Sequence, residues 1–181
     1  MKKTFKKENS EALDSRLKTR DLCALAVGGA LMFALKMAMA FAPNIEPVTL
    51  LIAIFTLSYG WPALFSVGVY VLLEGVMFGF GFWYPFYLII WPLLVVLVRL
   101  IAPLCRRSAP AWALALGAFG LGFGFLYAMY WGIIGGAGGF FVTWTAGLIF
   151  DVLHCVGNYA LCLVLFKPLM RVMDRITTRA C

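Results

Sequence analysis

The sequence predicts an all-α integral membrane protein with six transmembrane helices and both termini on the cytoplasmic side, and three observations lead there. Of the 181 residues, 64% are hydrophobic and only 13% charged, with a mean hydropathy of +0.95, far outside soluble globular usage. Fourteen of the fifteen Lys and Arg residues lie before residue 21, at Arg99, Arg106 and Arg107, or from Lys167 onward. They bracket pairs of apolar stretches and so mark one face of a bilayer. The connections on the other face, 43–47, 81–85 and 132–139, carry neither Lys nor Arg. At about 20 residues per span, the membrane part takes nearly the whole chain, and any function must reside in the bundle. The net charge of +7 is therefore assigned to topology and anionic lipid rather than to nucleic acid, for which no folded basic surface is available.

Residues 1–20 hold seven Lys or Arg against Glu8, Glu11 and Asp14 and read as a basic cytoplasmic tail. The apolar run that follows is too long for a signal peptide and lacks a small-residue cleavage pattern, so it reads as a retained first span, 22–42. A short second span, 48–59, turns at Gly60-Trp61-Pro62 into a third, 63–80. The aromatic connection 81–85 leads to a fourth, 86–101. The basic segment with Arg106 and Arg107 then joins it to a fifth, 111–131. The glycine-rich stretch 132–139 opens onto a long sixth span, 141–166. Each must be helical, because an unpaired strand or loop facing lipid leaves backbone groups without partners. The membrane domain is thus placed at 21–176, with 177–181 as a cytoplasmic end.

Few residues carry chemistry. Cys23, Cys105, Cys155, Cys162 and Cys181 show no CxxC spacing, and a single histidine cannot build a multi-histidine metal site, so neither a metal nor a cofactor is implied. Lys36, Glu74 and Asp151 lie within apolar spans, where a charge costs about 2.5–3.5 kcal/mol on insertion scales and is kept for pairing or function. Counted along their helices, Lys36 and Glu74 reach similar depth in the outward half and can pair. Asp151, His154 and Asn158 fall at i, i+3 and i+7 and share one helix face. The first span bears Ala26, Ala30, Ala34, Ala38 and Ala42 at every fourth position. Small residues so spaced admit a close-packed neighbouring helix, while Lys36 lies about 200° around from Ala34. Gly120, Gly122 and Gly124 lack the preceding strand of a dinucleotide loop and read instead as a close-packing surface.

The basic tail, the alanine ladder, the turn Asn44-Ile45-Glu46-Pro47 with its flanking Pro43, the aromatic connection running from Gly81 to Tyr87 and the polar sixth helix together resemble the substrate-binding S components of energy-coupling-factor (ECF) vitamin transporters. The resemblance spans residues 21–176. It implies a six-helix subunit of a bacterial membrane that captures a vitamin or related micronutrient from outside, under outer loops that act as a lid. It further implies a transmembrane coupling protein docked on Ala26, Ala30, Ala34 and Ala38, and two cytoplasmic ATPases. The chain has no GxxxxGK[ST] phosphate loop of its own. The expected pocket comprises Lys36 and Glu74, Asn44 and Glu46 of the first outer connection, Trp83, Tyr84 and Tyr87 of the second, and Asp151, His154 and Asn158. Aromatic rings would stack on a planar ligand and polar groups would orient it. Lys36 stands against three acids in the outward half, so a neutral or cationic heteroaromatic suits the pocket better than a dianion. Two other classes stay open. One is an intramembrane enzyme using His154 with Asp151 or Glu74, although no GxSxG or HExxH motif is present. The other is a scaffold whose polar residues merely hold helices together.

Overall fold

A computed structural model describes residues 17–178 except position 43. The tail through residue 16 and the last three residues lie outside the described residues. Five helices follow one another: α1 (Thr19–Ala38), α2 (Val48–Tyr59), α3 (Ala63–Phe78), α4 (Tyr84–Cys105) and α5 (Ala109–Thr178). There is no strand among the described residues. Three helices, α1, α4 and α5, are long and apolar enough to cross a membrane. At 12 and 16 residues, α2 and α3 fall short of the roughly 20 that a full crossing takes, so helix length does not carry the predicted count of six.

The fifth and sixth predicted spans form the single element α5, and the connection predicted at 132–139 is helical apart from Gly136, with φ 63° and ψ −162°. In lipid nothing replaces lost backbone hydrogen bonds, so even a glycine-rich stretch stays helical up to the one residue that turns. The two arms of α5 run antiparallel from that point. Asn158 Nδ2 donates to Leu116 O at 3.2 Å, and Asp151 Oδ1 accepts the Gly124 N–H at 2.8 Å. At the far end Arg107 grips Asp174 through two bonds of 2.6 and 2.9 Å.

Glycines set how close these arms come. A side chain at Gly124 would meet the Asp151 carboxylate, and one at Gly120 would meet Asn158 Nδ2 and His154 O, whereas Gly122 faces open space. Gly124→Ala should therefore cost about 1–3 kcal/mol through overpacking, while Gly122→Ala should be neutral or slightly stabilising. Thermal unfolding in detergent checks the contrast, and equal midpoints for the two variants would contradict it.

The core forms around the shortest helix. α2 is apolar on all sides, nine of its twelve residues are buried, and it touches all four other helices, as an all-round hydrophobic helix must. α1 lies chiefly against α3. Ser66 Oγ donates to Leu25 O at 2.7 Å, and a side chain at Gly29 would strike the Ser66 carbonyl and Val69. Close approach within the bundle thus falls to Gly28 and Gly29 rather than to the alanine ladder. Ala30, Ala34 and Ala38 are exposed and Ala26 half-buried, beside Val27 and Leu31, 66% and 44% exposed.

Candidate functional site

Position 36 lies eleven residues after Leu25 and four after Met32, both fully buried, so the packed face of α1 carries Lys36 to α3. There its Nζ lies 2.6 Å from Glu74 Oε2 and 3.5 Å from the Tyr70 hydroxyl. Aromatic rings enclose the ammonium, with centroids at 5.4 Å for Tyr87 and 5.9 Å for Tyr70 and for Phe78, within cation–π range. Tyr70, Glu74 and Phe78 stand four residues apart along one face of α3. Trp83, which caps α4, repeats the spacing with Tyr87 and Trp91 of that helix, with neighbouring centroids 5.0 and 5.7 Å apart.

This pair is not sealed. Lys36, Glu74, Phe78, Trp83 and Tyr87 line a cavity of about 290 Å³. A second, of about 240 Å³, shares Lys36 and Phe78 and is walled by Asn44, Ile45 and Glu46 among others. The first alone nearly reaches the lower end of the roughly 300–1,000 Å³ found for small-molecule sites, and the two together fall within that range. Glu74 is 2% exposed, and its Oε1 has no hydrogen-bond partner. The connection between α1 and α2 is pinned over the site by Asn44, whose φ is 57° and whose Nδ2 donates to Phe150 O at 3.2 Å.

Glu46 sits in that connection and faces Lys36 and Glu74. Its burial raises the carboxyl above the ordinary 4.5, with Lys36 opposing and Glu74 reinforcing the shift. A folded value above the unfolded one means that the folded protein holds the proton more tightly. Its contribution to stability is full below pH 4.5 and is lost as pH rises through the folded value. Between that pH and neutrality the thermal midpoint should fall more for the wild type than for Glu46→Gln. Parallel curves would contradict the assignment.

Of the ten predicted pocket residues, the structure gathers Lys36, Asn44, Glu46, Glu74, Trp83 and Tyr87 on the two cavities. Tyr84 stands behind them, packed on Trp83 and Phe80 at centroid distances of 5.6 and 4.8 Å. Asp151, His154 and Asn158 lie elsewhere. Asp151 Oδ1 and Asn158 Nδ2 bond backbone groups of the other α5 arm, and His154 Nε2 is 3.3 Å from Thr49 Oγ1, while Asn158 Oδ1 and His154 Nδ1, like Glu74 Oε1, are buried without a partner. One ring links the two groups, Phe123, whose centroid is 6.5 Å from that of Tyr87 and 5.2 Å from that of His154. Neither Asp151 nor Glu74 is bonded to His154, so the carboxylate–histidine pairing considered for an enzyme is not assembled. Sequence reading missed Tyr70 and Phe78, although their i±4 spacing from Glu74 was available. Among the described residues no three His, Cys, Asp or Glu side chains converge as metal ligands.

No family model, curated protein or solved structure matches this chain.

Proposed function

We propose that this chain is the membrane-embedded substrate-binding subunit of an ECF-type importer of the bacterial cell membrane. In this reading it crosses the bilayer six times, the two arms of α5 counting separately, with both termini cytoplasmic. It captures a vitamin or related micronutrient from outside at the Lys36–Glu74 cavity. The observation that carries the reading is a buried ion pair set against an open, aromatic-walled cavity, with a carboxylate oxygen left over. A pair that served only to hold α1 to α3 would be closed over and fully satisfied, since an unmet buried charge-bearing atom is costly.

Delivery inward needs a partner and a source of energy. The strip of exposed Ala30, Ala34 and Ala38 with half-buried Ala26 supplies a smooth face on which a helix of the transmembrane coupling protein can lie. With no phosphate loop in the chain, ATP hydrolysis falls to two cytoplasmic ATPase subunits. The enzyme alternative has less support, because His154 meets a threonine and an aromatic ring where a base would need a carboxylate. Affinity isolation of the chain from its own membranes tests the assignment. Recovery of one further membrane protein with two ATPases is expected, and recovery of the chain without any ATPase would contradict it.

A further inference from the structure

Resting on the reading of the Lys36–Glu74 cavity as the substrate site, we propose that the ligand is an uncharged planar heterocycle with a lactam or imide edge, a ring N–H directly beside a carbonyl. The ring N–H donates to Glu74 Oε1 and the carbonyl accepts from Lys36 Nζ.

Glu74 dictates the donor. One of its oxygens is taken by Lys36 at 2.6 Å, and the other is buried without a partner in a residue that lines the cavity. A carboxylate oxygen can only accept, so what fills the cavity must bring an N–H or O–H. Lys36 dictates the acceptor. An ammonium has three N–H groups: one serves Glu74, and a second reaches Tyr70 OH only at the long distance of 3.5 Å. The Lys36 side chain is 19% exposed against 2% for Glu74, so the lysine is the more accessible of the two cavity-lining partners. Because the two groups are themselves in contact, the ligand's donor and acceptor must be neighbours. A lactam or imide edge has that spacing.

The walls dictate shape and charge. Trp83, Tyr87 and Phe78 line the cavity with aromatic side chains against which a flat molecule packs. Lys36 and Glu74 cancel, and the other carboxyl that faces them, Glu46, is biased by burial toward its neutral form. A ligand anion would face Glu74 without compensation. A ligand cation would compete with an ammonium already 5.4 Å from the Tyr87 centroid.

Lumazine, the fluorescent pteridine-2,4-dione, is a direct probe when titrated into the purified chain in detergent at mildly acidic pH. It should bind at least about tenfold more tightly than 1,3-dimethyllumazine, which keeps the carbonyls and the flat ring but has no N–H, as expected for one lost hydrogen bond to a charged group. Glu74→Gln, whose carboxamide N–H₂ must oppose either Lys36 or the ligand N–H, should abolish that preference. If this variant does not fold, the two probes on the wild type decide alone. Equal binding of both lumazines, no lumazine binding, or tighter binding of cationic thiamine or anionic nicotinate would overturn the proposal. A charged metabolite released from the purified chain, with lumazine inert, would sink this ligand class while leaving the importer standing. Lumazine selectivity in a chain that never isolates with ATPases would do the reverse.

Discussion

Lys36→Met alone is expected to lower the unfolding free energy by about 3–5 kcal/mol, because it leaves Glu74 charged, buried and unpaired. Glu74 is 2% exposed and shares α3 with Tyr70, Val71 and Val67, all buried, so the carboxylate keeps a largely apolar surround when the ammonium is lost. The double variant Lys36→Met/Glu74→Leu should recover most of the loss, since a buried ion pair and an apolar pair of similar volume are often close in stability. Ligand binding should not recover, for the groups that read the ligand are gone. Chemical denaturation of the three proteins, with a double-mutant cycle, checks the energetics. A single variant as stable as the wild type would mean that Glu74 is satisfied by some group other than Lys36.

Ala34→Trp is expected to abolish isolation with the coupling protein and ATPases while leaving ligand affinity within about twofold. Ala34 is exposed and lies two residues from Lys36, on the far side of α1 at about 100° per residue. An indole there projects from the bundle and blocks a helix that needs close contact, where packing of small residues supplies the association in lipid. Quantitative recovery of the ATPases with wild type and variant, beside a ligand titration of each, separates the two effects. Undiminished recovery would remove the ladder as a docking face. Reduced ligand affinity would show that the two sites are not separate.

Much of this was legible in the sequence because the membrane constrains it. A charge in an apolar span needs a polar partner, and the similar depths of Lys36 and Glu74 pointed to each other across α1 and α3. Asn44, Glu46 and Trp83, taken from the connections free of Lys and Arg, line the cavities. Other features depended on geometry that periodicity does not hold. Asp151, His154 and Asn158 share a face, but which neighbour that face meets depends on where the chain reverses. The reversal at Gly136 turns Asp151 and Asn158 onto the backbone of the preceding arm. The ladder and the pair Gly28-Gly29 are both small-residue surfaces, and only packing decides which is inside. Asp21 closes the first turn of α1 through its bond from Lys18 N at 3.2 Å, so that helix starts at Thr19, ahead of the apolar run. Arg106, at φ 50°, ends α4 only after Pro103, four residues beyond the predicted limit, because the cap rather than hydropathy sets the boundary.

The central claim, that the Lys36–Glu74 cavity holds a small-molecule ligand, is tested most directly by mass spectrometry of what heat releases from the gently purified chain. The wild type should release one planar metabolite in near-stoichiometric amount, and Lys36→Met/Glu74→Leu should release none. Release of the same metabolite in the same yield from both proteins, or of nothing from the wild type, would contradict the account.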